Sequence, residues 1–173
     1  MSVVYCSFER HAESILAILN EAIATSTALY DYAPRPAESM RGWFSAKEVG
    51  AFPVIGMEDA AGELLGFASY GVFRPFPANR YTVEHSVYVH PAHRGKGVAR
   101  VLMQRLIERA RDQAVHVLVG GIDARNAASI ALHERLGFRH AGTIAQAAFK
   151  FGAWRDLAFY QLILDTPAQP VEG

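Results

Sequence analysis

Between residues 87 and 100 the chain reads Val87-Tyr88-Val89-His90-Pro91-Ala92-His93-Arg94-Gly95-Lys96-Gly97-Val98-Ala99-Arg100. Two glycines and three cations stand between a valine-rich run and a helical pattern. The first turn of a helix carries unpaired backbone N–H groups and a partial positive charge. Glycines there let an anion approach the backbone. Arg94, Lys96 and Arg100 add charge on the same side, so a pyrophosphate-bearing ligand is the natural chemistry. A Walker A loop is excluded, because its four-residue spacing and its Lys-Ser/Thr pair are missing. A dinucleotide fingerprint fails as well: Arg100 occupies the third glycine position, and the next strand lacks an acidic residue placed for a ribose. Taken alone, the two glycines fit a plain strand-to-helix turn equally well.

A second candidate lies just upstream. In a strand from Thr82 to Val89, residues Thr82, Glu84, Ser86 and Tyr88 share one face. Glu84 sits within an apolar run, where burial raises a carboxyl pKa toward the range of a useful general base. An ordinary edge carboxylate or an ion-pair partner is the competing reading. The seven histidines do not form a metal pattern: His85, His90, His93 and His116 are loosely spaced, and no His-Glu-x-x-His occurs. No metal is expected. Cys6 is the single cysteine, which excludes an intrachain disulfide and suits a reducing compartment.

These residues need a scaffold. Val3 to Ser7 reads as a strand. Ala12, Ile15, Leu16, Leu19, Ala22 and Ile23 form one apolar helix face. A second helix is predicted from Pro36 to Lys47. Val54–Glu58 and Glu63–Phe73 read as a hairpin around Gly62. The strand Thr82–Val89 follows, then a helix from Gly97 to Asp112 and an apolar, central strand from Val115 to Ile122. A helix from Ala127 to Leu136 is closed by Gly137. Two last strands, Arg139–Phe149 and Trp154–Leu164, flank a turn containing Gly152. The expected class is α/β, with a mixed sheet of six to seven strands and four helices. Residues 1–165 read as a single domain, with 166–173 as a flexible tail.

The chain has 173 residues, with 17 Lys+Arg against 17 Asp+Glu. Zero net charge argues against a nucleic-acid partner, since non-specific grip on that backbone needs surplus positive charge. No apolar run approaches the roughly 18 residues of a membrane span, and no signal-peptide pattern opens the chain. The expected address is the cytoplasm, with no membrane partner.

Two motifs in order now carry a resemblance. Arg94-Gly95-Lys96-Gly97-Val98-Ala99 resembles the Arg/Gln-x-x-Gly-x-Gly/Ala signature of the GNAT N-acetyltransferases. The run from Asn126 through Ser129 and His133 to Phe138 resembles that family's second motif. Glu84–Val89, Phe73–Phe76 and Lys150–Leu157 are similar to the phosphinothricin and methionine sulfoximine branch. The resemblance spans Val3 to Leu164 and implies the GNAT fold, acetyl-CoA as co-substrate and a homodimer. It implies transfer of an acetyl group to the α-amino group of a small amino-acid analogue.

The same resemblance implies roles. Residues Arg94 to Arg100 bind the pyrophosphate, and the backbone of Val87, Tyr88 and Val89 pairs with the pantetheine arm. Asn126, with Ser129 more weakly, contacts the cofactor; an asparagine there also suits a helix N-cap. Glu84 is the general base and borders the acceptor. His133 replaces a tyrosine thought to protonate the departing thiolate, and imidazole is able to do so at neutral pH; a packing histidine is an equal reading. Arg74, framed by Phe73 and Phe76, suits a substrate carboxylate. Lys150 and Phe151 border the acceptor. Phosphinothricin-resistance members have histidine where Phe151 stands, so a less polar acceptor such as methionine sulfone or sulfoximine is favoured. Other open readings are a peptide N-terminus or polyamine as acceptor, and a non-catalytic acyl-CoA sensor.

Overall fold

The computed structural model describes Met1–Glu172. The chain divides into two compact units, Met1–Gly71 with Ser86–Leu106, and Val72–His85 with Ile107 onward.

In the first unit β1 (Ser2–Tyr5) pairs antiparallel with β2 (Val54–Glu58), and β2 pairs antiparallel with β3 (Leu64–Val72). The β2–β3 turn is tied by the Asp59 carboxylate, which accepts from the amides of Ala61 (2.8 Å) and Glu63 (3.0 Å). Helix α1 (Phe8–Thr25) buries Ile15, Ile18, Leu19, Ala22 and Ile23, which confirms its predicted face. Ile15, Ile18 and Leu19 share a core with Met40, Val54, Leu64 and Phe67. The predicted start of α2 at Pro36 shifts to Ser39, and the helix runs to Val49. The Pro36 carbonyl accepts from the Ser39 amide at 3.1 Å, so the proline makes the entry turn instead of the first helical residue.

Strand β4 (Thr82–Val89) gives its first half to the second unit and its second half to the first. A Cβ on Gly66 of β3 would lie 2.7 Å from the Tyr88 carbonyl oxygen and 3.1 Å from the Val89 Cα. Only glycine permits that approach of two backbones.

In the second unit β4 pairs parallel with β5 (Val117–Asp123), from Thr82↔Val117 to Glu84↔Val119. Strand β5 pairs antiparallel with β7 (Ala153–Ile163), and β7 with β6 (Arg139–Lys150). The strand order is β1-β2-β3-β4-β5-β7-β6, a mixed sheet of seven strands with four helices. Helix α3 (Val98–Asp112) precedes β5. That strand begins two residues later than predicted: the Val115 amide still bonds to the Ala110 carbonyl (2.9 Å), and Ala114 turns left-handed at φ +58° to end the helix.

Helix α4 (Ala127–Arg135) ends as predicted at Gly137. With Gly137 at φ +90°, its amide bonds to the Glu134 carbonyl and the Phe138 amide to the His133 carbonyl, both at 3.0 Å. Those two bonds define a Schellman ending. Of the expected tail, Thr166 bonds to the Val115 carbonyl and Val171 to the Tyr81 hydroxyl, while Gly173 lies outside the described residues.

Candidate active site

The glycine-rich loop belongs to the first unit. Gly95 (φ +74°) and Gly97 (φ +83°) both lie in the left-handed region that disfavours any side chain. Nothing lies within 4 Å of where their Cβ atoms would stand, so conformation, not packing, demands glycine. The loop is exposed up to Val98, which is buried and anchors the helix start. Lys96 and Arg100 are exposed. Arg94, expected to add charge on the ligand side, pairs its guanidinium with Glu21 of α1, and its Nε donates to the Val89 carbonyl at 3.2 Å. Upstream, Val87, Tyr88 and Val89 are half-buried, with the Tyr88 ring 5.5 Å from that of Phe67.

The carboxylate candidate belongs to the second unit. Glu84 is in the last paired position of β4 with β5 and faces away from the buried Val83 and His85. It is exposed instead of enclosed; its register partner on β5 is Val119, with Gly121 two residues further along the strand. A Cβ on Gly121 would lie 3.3 Å from Glu84 Oε1, 3.3 Å from Leu157 and 3.7 Å from Phe159. The carboxylate therefore lies beside the Gly121 backbone and is open to solvent. Desolvation raises its pKa above the ordinary carboxylate value.

On the opposite face His85 and His133 form a buried pair, Nε2 to Nε2 at 2.8 Å with stacked rings. His133 Nδ1 donates to the Ser129 carbonyl at 2.7 Å. That bond leaves His133 Nε2 as an acceptor, so His85 donates from Nε2. Desolvation lowers both pKa values, and for His85, taken down to about 3, a charge on His133 lowers it further. Both rings are neutral at pH 7. In this geometry the N–H of His133 bonds to the Ser129 carbonyl and its other nitrogen accepts from His85, the arrangement of the packing histidine that was the equal reading. Sequence reasoning missed His85 as a partner. It also missed Gly120-Gly121. Two adjacent glycines inside a strand mark a close approach, and that signal was available. A Cβ on Gly120 would lie 2.8 Å from the His85 ring.

Asn126 caps α4, its Oδ1 accepting from the Ser129 amide at 3.1 Å. The cap uses the oxygen and leaves the side-chain NH₂ for a ligand. Arg74 and Phe76 are exposed, with the guanidinium 5.6 Å over the Phe76 ring. The framing by aromatics is thus met on one side. Lys150 is buried, its ammonium 5.0 Å from the Phe151 ring. Phe151 is 54% exposed and left-handed at φ +52°, forming with Gly152 (φ +69°) the turn between β6 and β7. Among the described residues no cluster of three or more His, Cys, Asp or Glu is placed to hold a metal. Nor, among them, is any helix long and apolar enough to cross a membrane.

Comparison with known proteins adds the following. Residues 15–138 match the model of the acetyltransferase (GNAT) family. The chain is 51% identical over 151 residues to an L-methionine sulfoximine/L-methionine sulfone acetyltransferase of Pseudomonas paraeruginosa, covering 87% of this chain and 88% of the relative. It is 43% identical over 165 residues to the L-amino acid N-acyltransferase MnaT of Escherichia coli, covering 94% and 95%. A phosphinothricin acetyltransferase from Sinorhizobium meliloti, solved in complex with acetyl-CoA, superposes with a TM-score of 0.94 at 31% identity, covering 99% of this chain and 94% of that one.

Proposed function

Since the chain belongs to the acetyltransferase (GNAT) family, we propose that it moves the acetyl group of acetyl-CoA directly onto the α-amino group of a small amino-acid analogue. Methionine sulfone and methionine sulfoximine are the favoured acceptors, with phosphinothricin as the related alternative. The names of similar N-acyltransferases support this class of substrate.

Bound acetyl-CoA supplies an activated acyl carbon. Lys96 and Arg100 offer their charges to its pyrophosphate, with the backbone N–H groups of Gly95 to Ala99 beside them. The backbone of Val87–Val89 takes the pantetheine arm as an added strand. Asn126, whose oxygen is fixed as a cap, donates its NH₂ to the same arm, with Ser129 one turn on. Arg74 receives the acceptor's carboxylate, its guanidinium held over Phe76. The exposed Phe151 ring suits a less polar acceptor side chain, and Lys150 supports that ring.

Glu84 takes the proton from the acceptor amine, directly or through one water. The amine nitrogen then bonds to the acyl carbon, the C–S bond breaks, and the thiolate leaves and takes up a proton. The exposed Glu84 carboxylate beside Gly121 is the observation that carries this reading: partial desolvation raises its basicity while solvent exposure keeps it reachable. His133 serves as a neutral support for α4. A homodimer belongs to the reading through the family resemblance, and a cytoplasmic address through the expectation drawn from the sequence.

The test is Glu84→Gln. Removing a general base is expected to lower kcat by about 100-fold or more while acetyl-CoA binding is retained. Unchanged turnover at neutral pH removes Glu84 from the mechanism.

A further inference from the structure

We propose that Glu21, on α1, is a positioning residue for the acetyl-CoA loop, acting through Arg94; this rests on reading that loop as the cofactor site. The loop has little to hold it from outside, because the space beside Gly95 and Gly97 is open. Its shape depends on its two ends. Val98, buried, fixes one end. Arg94 fixes the other with two arms, one to the Val89 carbonyl at 3.2 Å and one to the Glu21 carboxylate.

Glu21 is itself pinned. The Thr25 hydroxyl lies 2.9 Å from Glu21 Oε1 and 2.9 Å from the Glu21 carbonyl, one helical turn away. Oε1 is thereby held by Thr25 while Oε2 faces Arg94. The chain Thr25–Glu21–Arg94–Val89 ties a rigid helix to the residue immediately before the first left-handed glycine. Ordering the loop before the ligand arrives reduces the entropy lost on binding. The arrangement also divides labour among the cations. Glu21 compensates the charge of Arg94, so Arg94 shapes the loop, whereas the exposed Lys96 and Arg100 face the anion.

The experiment compares Glu21→Gln, Arg94→Gln and the double variant by calorimetric titration with CoA and by steady-state kinetics. Glu21→Gln is expected to weaken CoA binding, and to raise KM for acetyl-CoA, by about fivefold. Its kcat and acceptor KM stay within about twofold of the wild type, a split that general destabilisation would not produce. In the double variant CoA binds within about twofold of Arg94→Gln alone, since both changes break one contact. Unchanged or tighter CoA binding in Glu21→Gln, or additive losses in the double variant, would overturn the proposal. Should Glu21→Gln not fold, Thr25→Ala removes the pin on the carboxylate; about twofold weaker CoA binding supports the proposal, and unchanged binding opposes it. Failure of the wild type to bind CoA would instead sink the cofactor reading itself.

Discussion

Acidification from pH 7 to pH 5 should cost the native state about 2 kcal/mol through His85 alone. An imidazole in the unfolded chain takes up its proton near pH 6.5. In the folded protein burial, and then the neighbouring ring of His133, hold His85 down to about 3. Around pH 5 the unfolded chain therefore binds a proton that the native state refuses. The gap of about 1.5 pH units below 6.5, at 1.36 kcal/mol each, gives the figure of about 2 kcal/mol. The sign follows from the proton count. The stabilisation from neutral His85 is complete above about pH 6.5, declines as the pH falls, and is exhausted near pH 3. Urea unfolding at pH 7, 6 and 5, followed by the fluorescence of Trp43 and Trp154, measures it. The control is His85→Gln, whose side-chain amide still donates to His133 but does not titrate. The other histidines contribute equally to both proteins. The wild type should lose about 2 kcal/mol more than the variant between pH 7 and 5. Parallel profiles would refute the claim that this pair is buried in its neutral form.

Two substitutions probe the site more directly. Gly121→Ala places a methyl group 3.3 Å from Glu84 Oε1, a distance the flexible carboxylate relieves by swinging aside; kcat should fall about tenfold with the melting temperature nearly unchanged, because a 1 Å misplacement of a reacting group is costly. A kcat within twofold of wild type would show that Glu84's position is immaterial. Lys96→Ala and Arg100→Ala should each raise KM for acetyl-CoA by about fivefold, roughly 1 kcal/mol for one charge-assisted contact. The losses should shrink in high salt, and an unaltered KM in both variants would count against the pyrophosphate assignment.

Much of the scaffold was legible because its signals are local. The apolar stripe of α1, the alternation in β4 and the glycine that ends α4 each act within a few residues, and the structure keeps all three. The starts of α2 and β5 moved by two or three residues, since Pro36 forms a turn and Ala114 adopts a left-handed exit from α3. The glycines of the 94–100 loop were also readable, because positive φ is a local demand. Side-chain partners were not. His85 meets His133 across 48 positions, and Arg94 meets Glu21 across 73. Nothing in the spacing of either pair announces the contact. Those meetings put His133 in a buried pair with His85 and Arg94 in an ion pair with Glu21. The approach of the Glu84 carboxylate to Gly121 in β5 is likewise not revealed by sequence order.

The central claim is acetyl transfer to a small amino-acid analogue. Its most direct measurement is thiol release from acetyl-CoA against methionine sulfone, methionine sulfoximine, phosphinothricin, ordinary amino acids, a polyamine and short peptides, with the acetylated product identified by mass. Saturable turnover with the sulfone or sulfoximine, acetylated at the α-nitrogen, is the expected result. Silence with all three analogues while a peptide or polyamine turns over, or silence across the panel with acetyl-CoA still bound, would contradict it.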